Sequence, residues 1–166
     1  NAGQLIKIDL LSDPESTITK LSEIATNVKY VPLQTTQSSL IARFVLKIVS
    51  IDNRIYIRNS GLQGEIMCFE MDGKFLFKIA NRGRGPEEYL NITDFDVSSD
   101  NKILIILSTL SHKLVVYGIS ETGITFERSV SLNEPIPWMI GMVPETDNVF
   151  LAIPPWRGTE TSLSLL

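Results

Sequence analysis

The sequence has a single cysteine, a single histidine and no long apolar run, and each scarcity excludes a class of protein. Cys68 has no partner for an intramolecular disulfide. Because His112 is the only histidine, the chain cannot form a metal site from several histidines. A histidine-based catalytic triad would have to use His112 as its base. No segment approaches the roughly 18 apolar residues of a membrane-spanning helix, so we expect no transmembrane segment. The net charge of −4 disfavours nucleic acid as a partner, since phosphate binding needs clustered positive charge.

What the chain does contain is a repeat. The segment Asp52–Ile57 recurs 48 residues later as Asp100–Ile105 and, more loosely, 47 residues after that as Asp147–Leu151. Phe69 and Tyr117 are also 48 residues apart. A period of about 40–50 residues made of short strands is typical of a propeller blade. We therefore predict an all-β fold, a β-propeller of four-stranded antiparallel blades.

About three blades fit in the 166 residues. We place an N-terminal arm at 1–19 and a partial propeller at 20–166, with blades at about 41–80, 92–131 and, incomplete, 138–166. Propellers usually have four to eight blades, so the segment is part of a larger ring, or two copies share one. Unpaired blade edges would also permit self-association.

The periodicity and the turn residues place the individual elements. We expect one or two helical turns at 16–24 and a two-residue hairpin turn at Asp72-Gly73. Val28–Leu33 is expected to be an outer strand that completes the last blade of the closed ring. In this segment it should therefore lie outside the sheet of the first blade, unpaired, disordered or paired with another copy. The first two blades are predicted to consist of strands at Phe44–Ser50, Arg54–Arg58, Glu65–Met71, Lys74–Ala80, Thr93–Ser98, Lys102–Ser108, Lys113–Ile119 and Ile124–Ser131.

The linker between the first two blades carries a resemblance to a known family. It resembles the G-x-G-P-x-E-Y linker of six-bladed, NHL-like β-propeller lipoproteins of Bacteroides-type bacteria, which it matches at Gly83, Gly85, Pro86, Glu88 and Tyr89. The segments Lys20–Ile24 and Val28–Thr35 are similar to the start of those proteins. The resemblance implies the N-terminal portion of a six-bladed ring, in the periplasm or on the outer membrane. The third blade departs from the pattern, with prolines at 144, 154 and 155 where shorter turns are expected.

Strands that run up and down place alternate connections at opposite ends of a propeller. The linkers between blades and the connections between the second and third strands of each blade lie at the same end. This end contains most of the side chains able to stack or to form charge-assisted hydrogen bonds, which suits a glycan, a peptide or a protein as ligand. The candidate ligand-binding residues at this end are Arg82, Arg84, Glu88, Tyr89, His112, Trp156 and Arg157. The alternative is structural: the glycines permit a tight backbone, and Tyr89, Trp138 and Trp156 pack between blades.

Two functions remain open. The first is a binding or scaffold module outside the cytoplasm, with no catalytic residue, no metal and no cofactor in this chain. The second is a propeller hydrolase or lyase with a metal-assisted axial site, mostly outside this segment. Asp94, Asp96 and Glu88 could contribute to an axial site of that kind. Asp94 and Asp96 could hold calcium there, or lie on a strand edge that faces solvent.

Overall fold

The computed structural model describes residues 25–60, 64–144, 146 and 148–152, and the backbone of 164–165. Contacts divide the chain into two units, residues 1–30 and 31–166. In the first unit, the described residues 25–30 contain no strand. The predicted arm at 1–19 and the predicted helix at 16–24 lie outside the described residues.

The described part of the second unit is all-β, with three antiparallel sheets and no helix. Within each sheet, consecutive strands are hydrogen-bonded neighbours. Sheet 1 consists of β1 (Val45–Ile51), β2 (Arg54–Asn59), β3 (Glu65–Glu70) and β4 (Phe75–Ile79). Sheet 2 consists of β5 (Asp94–Val97), β6 (Ile103–Ser108), β7 (Lys113–Ile119) and β8 (Ile124–Ser131). Sheet 3 consists of β9 (Met139–Met142), β10 (Val149–Ala152) and β11 (Ser164–Leu165).

The eight strands predicted for the first two sheets are confirmed, each end within one residue of its predicted place. Val28–Leu33 takes part in none of the three sheets. That it pairs as an outer strand therefore stays a prediction. The described residues form no closed ring of sheets.

The hairpin prediction at Asp72-Gly73 was wrong in its loop length. Glu70 N donates to Lys74 O at 2.9 Å, which leaves the three residues Met71, Asp72 and Gly73 in the loop. Only Gly73 of this pair has a positive φ, 95°, whereas a two-residue type I′ turn needs two such residues. A Cβ on Gly73 would lie 2.1 Å from the carbonyl oxygen of Pro32, so that glycine is required on steric grounds as well.

Apolar side chains between neighbouring sheets form the core. The first cluster joins one face of sheet 1 to sheet 2, and Tyr56, Cys68, Phe95 and Tyr117 are almost fully buried there. The second cluster joins the other face of sheet 2 to sheet 3. The third, smaller cluster lies on the remaining face of sheet 1 and includes Phe69. Each sheet therefore packs face to face on the next one along the chain.

A β-bulge and an aromatic pair recur in the same place in sheets 1 and 2. The register shifts between Cys68 and Phe69 in one sheet and between Val116 and Tyr117 in the other, 48 residues later. Each bulge carries an edge-to-face ring contact: Phe69 lies 5.6 Å from Phe75, and Tyr117 lies 6.4 Å from Phe126. The spacing predicted for Phe69 and Tyr117 is thereby confirmed as a structural repeat.

The Asp-Asn repeat, in contrast, is one residue out of structural register. Phe69 pairs with Ile55 and Tyr117 pairs with Leu104, so equivalent residues of β2 and β6 are 49 apart and not 48. The left-handed turn residues show the same offset, Asp52 with φ 53° and Asn101 with φ 55°. Since successive strand residues point to opposite faces, a slip of one residue exchanges the faces assigned to every side chain.

The third copy of the repeat is displaced further. Ser98 N donates to Ile103 O, and the matching bond in sheet 3 runs from Val143 N to Asn148 O, 45 residues later. The predicted step was 47, so Asn148 does not occupy the place of Asn101 in the turn. Asp147 lies outside the described residues.

Candidate functional site

The predicted binding end contains the linker of residues 80–93, in which the glycine spacing is explained by one carboxylate. Glu88 Oε2 accepts a hydrogen bond of 2.7 Å from Gly85 N, so its side chain folds back over the linker. A Cβ on Gly83 would lie 2.0 Å from that oxygen, and a Cβ on Gly85 would lie 3.1 Å from it. The two glycines therefore make room for the carboxylate, and the motif holds its own turn in shape.

Sheet 2 holds this linker through its side chains. Lys113 Nζ donates to Gly85 O at 2.7 Å, and the Tyr117 hydroxyl donates to Glu87 O. Tyr89 is fully buried, and its hydroxyl donates to Ile79 O at 3.2 Å. Burial raises the pKa of Tyr89 and raises that of Tyr117 to about 12, so both hydroxyls stay protonated as donors at neutral pH.

The predicted ligand-binding residues differ in what they offer to a ligand. Arg82, Arg84 and His112 are exposed on this end of the sheets. The Glu88 carboxylate already accepts a hydrogen bond from Gly85 N. Tyr89 has no exposed surface, which agrees with the interpretation that it packs between sheets. Trp156 and Arg157 lie outside the described residues. Trp138, which follows the β8–β9 connection, is 45% exposed.

Asp94 and Asp96 are structural groups in the described part of the chain. Asp94 Oδ1 lies 3.0 Å from Lys47 Nζ of β1, and Asp94 Oδ2 accepts a bond of 3.0 Å from Ile140 N of β9. Asp96 Oδ2 accepts a bond of 2.8 Å from Met142 N, also of β9. These carboxylates tie the first strands of the three sheets together. Asp94 is buried, so a solvent-facing strand edge does not describe it.

A basic side chain lies close to this carboxylate. The Arg58 guanidinium donates through Nη1 to Thr93 O, and its Nε is buried without a hydrogen-bond partner. Burial lowers the pKa of Arg58, and the charge of Asp94 opposes that shift.

The described residues contain no group of three or more His, Cys, Asp or Glu side chains arranged for a metal ion. They also contain no helix long and apolar enough to cross a membrane.

The opposite end of the sheets contains an open groove that the sequence did not predict. This turn groove has a volume of about 470 Å³ and lies between the turns of sheets 1 and 2. Its lining includes Asn53, Arg54, Glu70, Lys74, Asn101 and Thr122. The sequence signal was present: Asp-Asn at 52–53 and 100–101 and Glu-Thr at 121–122 are polar turns on neighbouring sheets at the same end.

The fold and these surfaces define a class of all-β protein in which antiparallel sheets stack face to face and present polar turns at both ends. A family model described as a domain of unknown function, DUF4934, matches residues 5–161, and the chain belongs to this family. A search of curated proteins found no match.

Two solved structures are similar to the chain. One is a putative exported protein from Bacteroides fragilis, 21% identical, with a TM-score of 0.62 over 76% of this chain and 34% of that one. The other is hydrazine synthase from Kuenenia stuttgartiensis, 14% identical, with a TM-score of 0.50 over 72% of this chain and 32% of that one. At these identities the likeness concerns the fold alone. The chain spans about a third of the length of each of the two structures.

Proposed function

We propose that the three sheets are blades of a β-propeller and that the protein works outside the cytoplasm as a binding or scaffold module without catalysis of its own. The observation that carries the architecture is the contact between first strands. Lys47 of β1 reaches Asp94 of β5, and Asp94 also accepts from Ile140 of β9. Blades that radiate from an axis bring their first strands together in this way.

The exposed apolar side of β1 supports a larger ring. Ile48, Phe95 and Ile140 occupy equivalent places, since each pairs with the matching residue of the second strand of its sheet. Phe95 is 0% exposed and Ile140 is 4% exposed, because the preceding sheet covers them, whereas Ile48 is 59% exposed. We propose that a further blade covers Ile48 in the complete ring, as in the six-bladed family that the linker resembles.

The binding role is supported by the way in which the conspicuous acidic groups are used. Asp94, Asp96 and Glu88 all accept hydrogen bonds from backbone N–H groups, and this structural use of the acidic groups favours a binding module over an enzyme. Arg82, Arg84 and His112 stay exposed at one end, where they suit a glycan, peptide or protein ligand. The proposed location outside the cytoplasm is supported by the likeness to the Bacteroides fragilis structure described as a putative exported protein.

Screening of the full-length protein on a glycan array and a peptide library tests this function. Replacing Arg84 or His112 with alanine should weaken binding of a ligand held at that end by roughly 1–3 kcal/mol each if they are anchors. Arg128→Ala is the matched control, because Arg128 is an exposed arginine on β8. Unchanged affinity in both variants would move the site elsewhere. Turnover of a bound ligand would reject the non-enzymatic role, and cell fractionation with the protein in the cytoplasm would reject the location.

A further inference from the structure

The turn groove is the open polar concavity that the linker and the first strands do not use. Its walls come from the β1–β2 and β3–β4 turns of sheet 1 and from the β5–β6 and β7–β8 turns of sheet 2. Its volume of about 470 Å³ is within the range of about 300–1,000 Å³ that small-molecule sites occupy. It lies at the opposite end of the sheets from Arg84 and His112, so a ligand there would be independent of one bound at that end.

Two side chains of the groove lining, Arg54 and Asn101, are each held in place by a hydrogen bond that crosses from one sheet to the other. Arg54 Nη1 donates to Ser120 O at 2.8 Å, and the guanidinium carbon lies 5.9 Å from the centre of the Phe77 ring. The Tyr56 hydroxyl lies 2.7 Å from Asn101 Oδ1. Groups fixed before binding lose little conformational entropy on contact with a ligand, which favours affinity.

The same two hydrogen bonds determine which donors and acceptors the groove can present to a ligand. Burial raises the pKa of Tyr56, so its hydroxyl remains a donor and occupies the Asn101 carbonyl oxygen. Arg54 donates to Ser120 O and also forms a side-chain hydrogen bond with Tyr56. The amide NH₂ of Asn101 and the other N–H groups of Arg54 are the donors that line the groove. Asn53 adds an exposed amide, which can both donate and accept.

Charge along the groove is close to balanced. Arg54 and Lys74 are opposed by Asp52, Glu70 and Glu121, and Lys74 already pairs with Glu70 at 3.2 Å. Such a surface attracts neither an anion nor a cation strongly, but it offers donors and acceptors side by side. Hydroxyl groups, which donate and accept at once, match this arrangement. Leu76 adds an apolar wall against which the C–H face of a sugar ring can pack.

We propose that the turn groove binds a neutral saccharide, with Arg54 and Asn101 as fixed donors and Asn53 as the adaptable partner. This proposal rests on the proposed binding function and adds a second site with its own ligand class. A peptide ligand in the groove is an outcome of the test that would reject it.

The test uses the full-length protein on an array of neutral oligosaccharides, followed by calorimetric titration of the strongest ligand. Asn101→Asp keeps the oxygen that accepts from Tyr56 and tolerates the left-handed backbone, but it removes the amide donor. Asn53→Ala removes an exposed side chain and should leave folding unchanged. Both variants should lose at least tenfold in saccharide affinity. Asn133→Ala, which changes another exposed asparagine, should retain it.

The outcomes separate this proposal from the proposed function. Saccharide affinity that falls in Arg84→Ala and not in the groove variants overturns the groove site and leaves the binding function in place. Binding of peptides, without binding of any saccharide, would likewise overturn the groove site and leave the binding function in place. If neither ligand class binds, both proposals fail.

Discussion

Asp94 should be the most costly single carboxylate to remove, because it joins three strands from three sheets. Its Oδ1 accepts from Lys47 Nζ at 3.0 Å and from Phe95 N at 2.9 Å, and its Oδ2 accepts from Ile140 N at 3.0 Å. Asp94→Ala deletes all three acceptor contacts and leaves the donors in place. The variant tests whether the first strands are held together through this one side chain.

The magnitude follows from the burial of the donors. Ile140 is 4% exposed, so water cannot readily replace the carboxylate, and an unsatisfied buried N–H costs about 1–3 kcal/mol. The Lys47 side chain is 29% exposed, so solvent screens the ion pair, and its loss adds at most about 1 kcal/mol. With the weakened Phe95 bond, we expect Asp94→Ala to lower the free energy of unfolding by about 3 kcal/mol.

Urea unfolding of the full-length protein, followed by circular dichroism, provides the measurement. Lys47→Ala removes only the ion pair and should cost about 1 kcal/mol. Asp94→Asn retains one acceptor oxygen and should fall between the other two variants. A cost below about 1 kcal/mol for Asp94→Ala would refute the reasoning, as would equal costs for Asp94→Ala and Lys47→Ala.

Three further predictions concern the core and the turns. Gly73→Ala should lower the free energy of unfolding by roughly 2 kcal/mol in the same urea assay, because φ is 95° and the new Cβ would meet Pro32 O. The control variant Gly123→Ala should be near neutral, since nothing lies within 4 Å of its Cβ. Burial raises the pKa of Cys68 to about 11, so thiol reagents at about pH 8 should label it only after urea unfolding, and rapid labelling of the folded protein would contradict its buried position. Burial also raises the pKa of Tyr117 to about 12 and that of Cys68 to about 11, so the folded state keeps protons that the unfolded chain releases. The stability should be level between about pH 7 and pH 9 and fall from there towards pH 12, and a rise over that range would have the wrong sign.

The positions of the strands could be predicted from the sequence because the inner strands are apolar runs that end at polar turn residues, and because the repeat places the others. The faces of those strands could not be predicted by matching Asp52-Asn53 to Asp100-Asn101. Identical dipeptides adopt different turns: the left-handed residue is the aspartate in the first hairpin and the asparagine in the second. The aromatic pair Phe69 and Tyr117 was the reliable marker, since bulge and ring packing fix its place in the sheet.

The site was predicted less well, for a physical reason. The linker motif could be located from its glycines, but the role of Glu88 depends on a side chain that folds back on Gly85, which spacing does not reveal. The turn groove is formed by residues from four separate turns, and its shape depends on the bonds from Arg54 and Tyr56 across the two sheets. Contacts of that kind arise only when the sheets pack.

The offset between the sequence repeat and the structural repeat has a consequence for protein engineering. A chimera that exchanged β2 and β6 by aligning their Asp-Asn pairs would place every transplanted side chain on the wrong face. The position of Arg54, whose guanidinium lies at the turn groove, would receive Lys102, although the structural counterpart of Arg54 is Ile103. Hairpins exchanged at the left-handed residues, Asp52 for Asn101, would keep each transplanted side chain on its own face of the sheet, with Arg54 and Arg58 in the places of Ile103 and Leu107. Recombination of these sheets therefore requires backbone conformation, and not residue identity, as the guide to the crossover point.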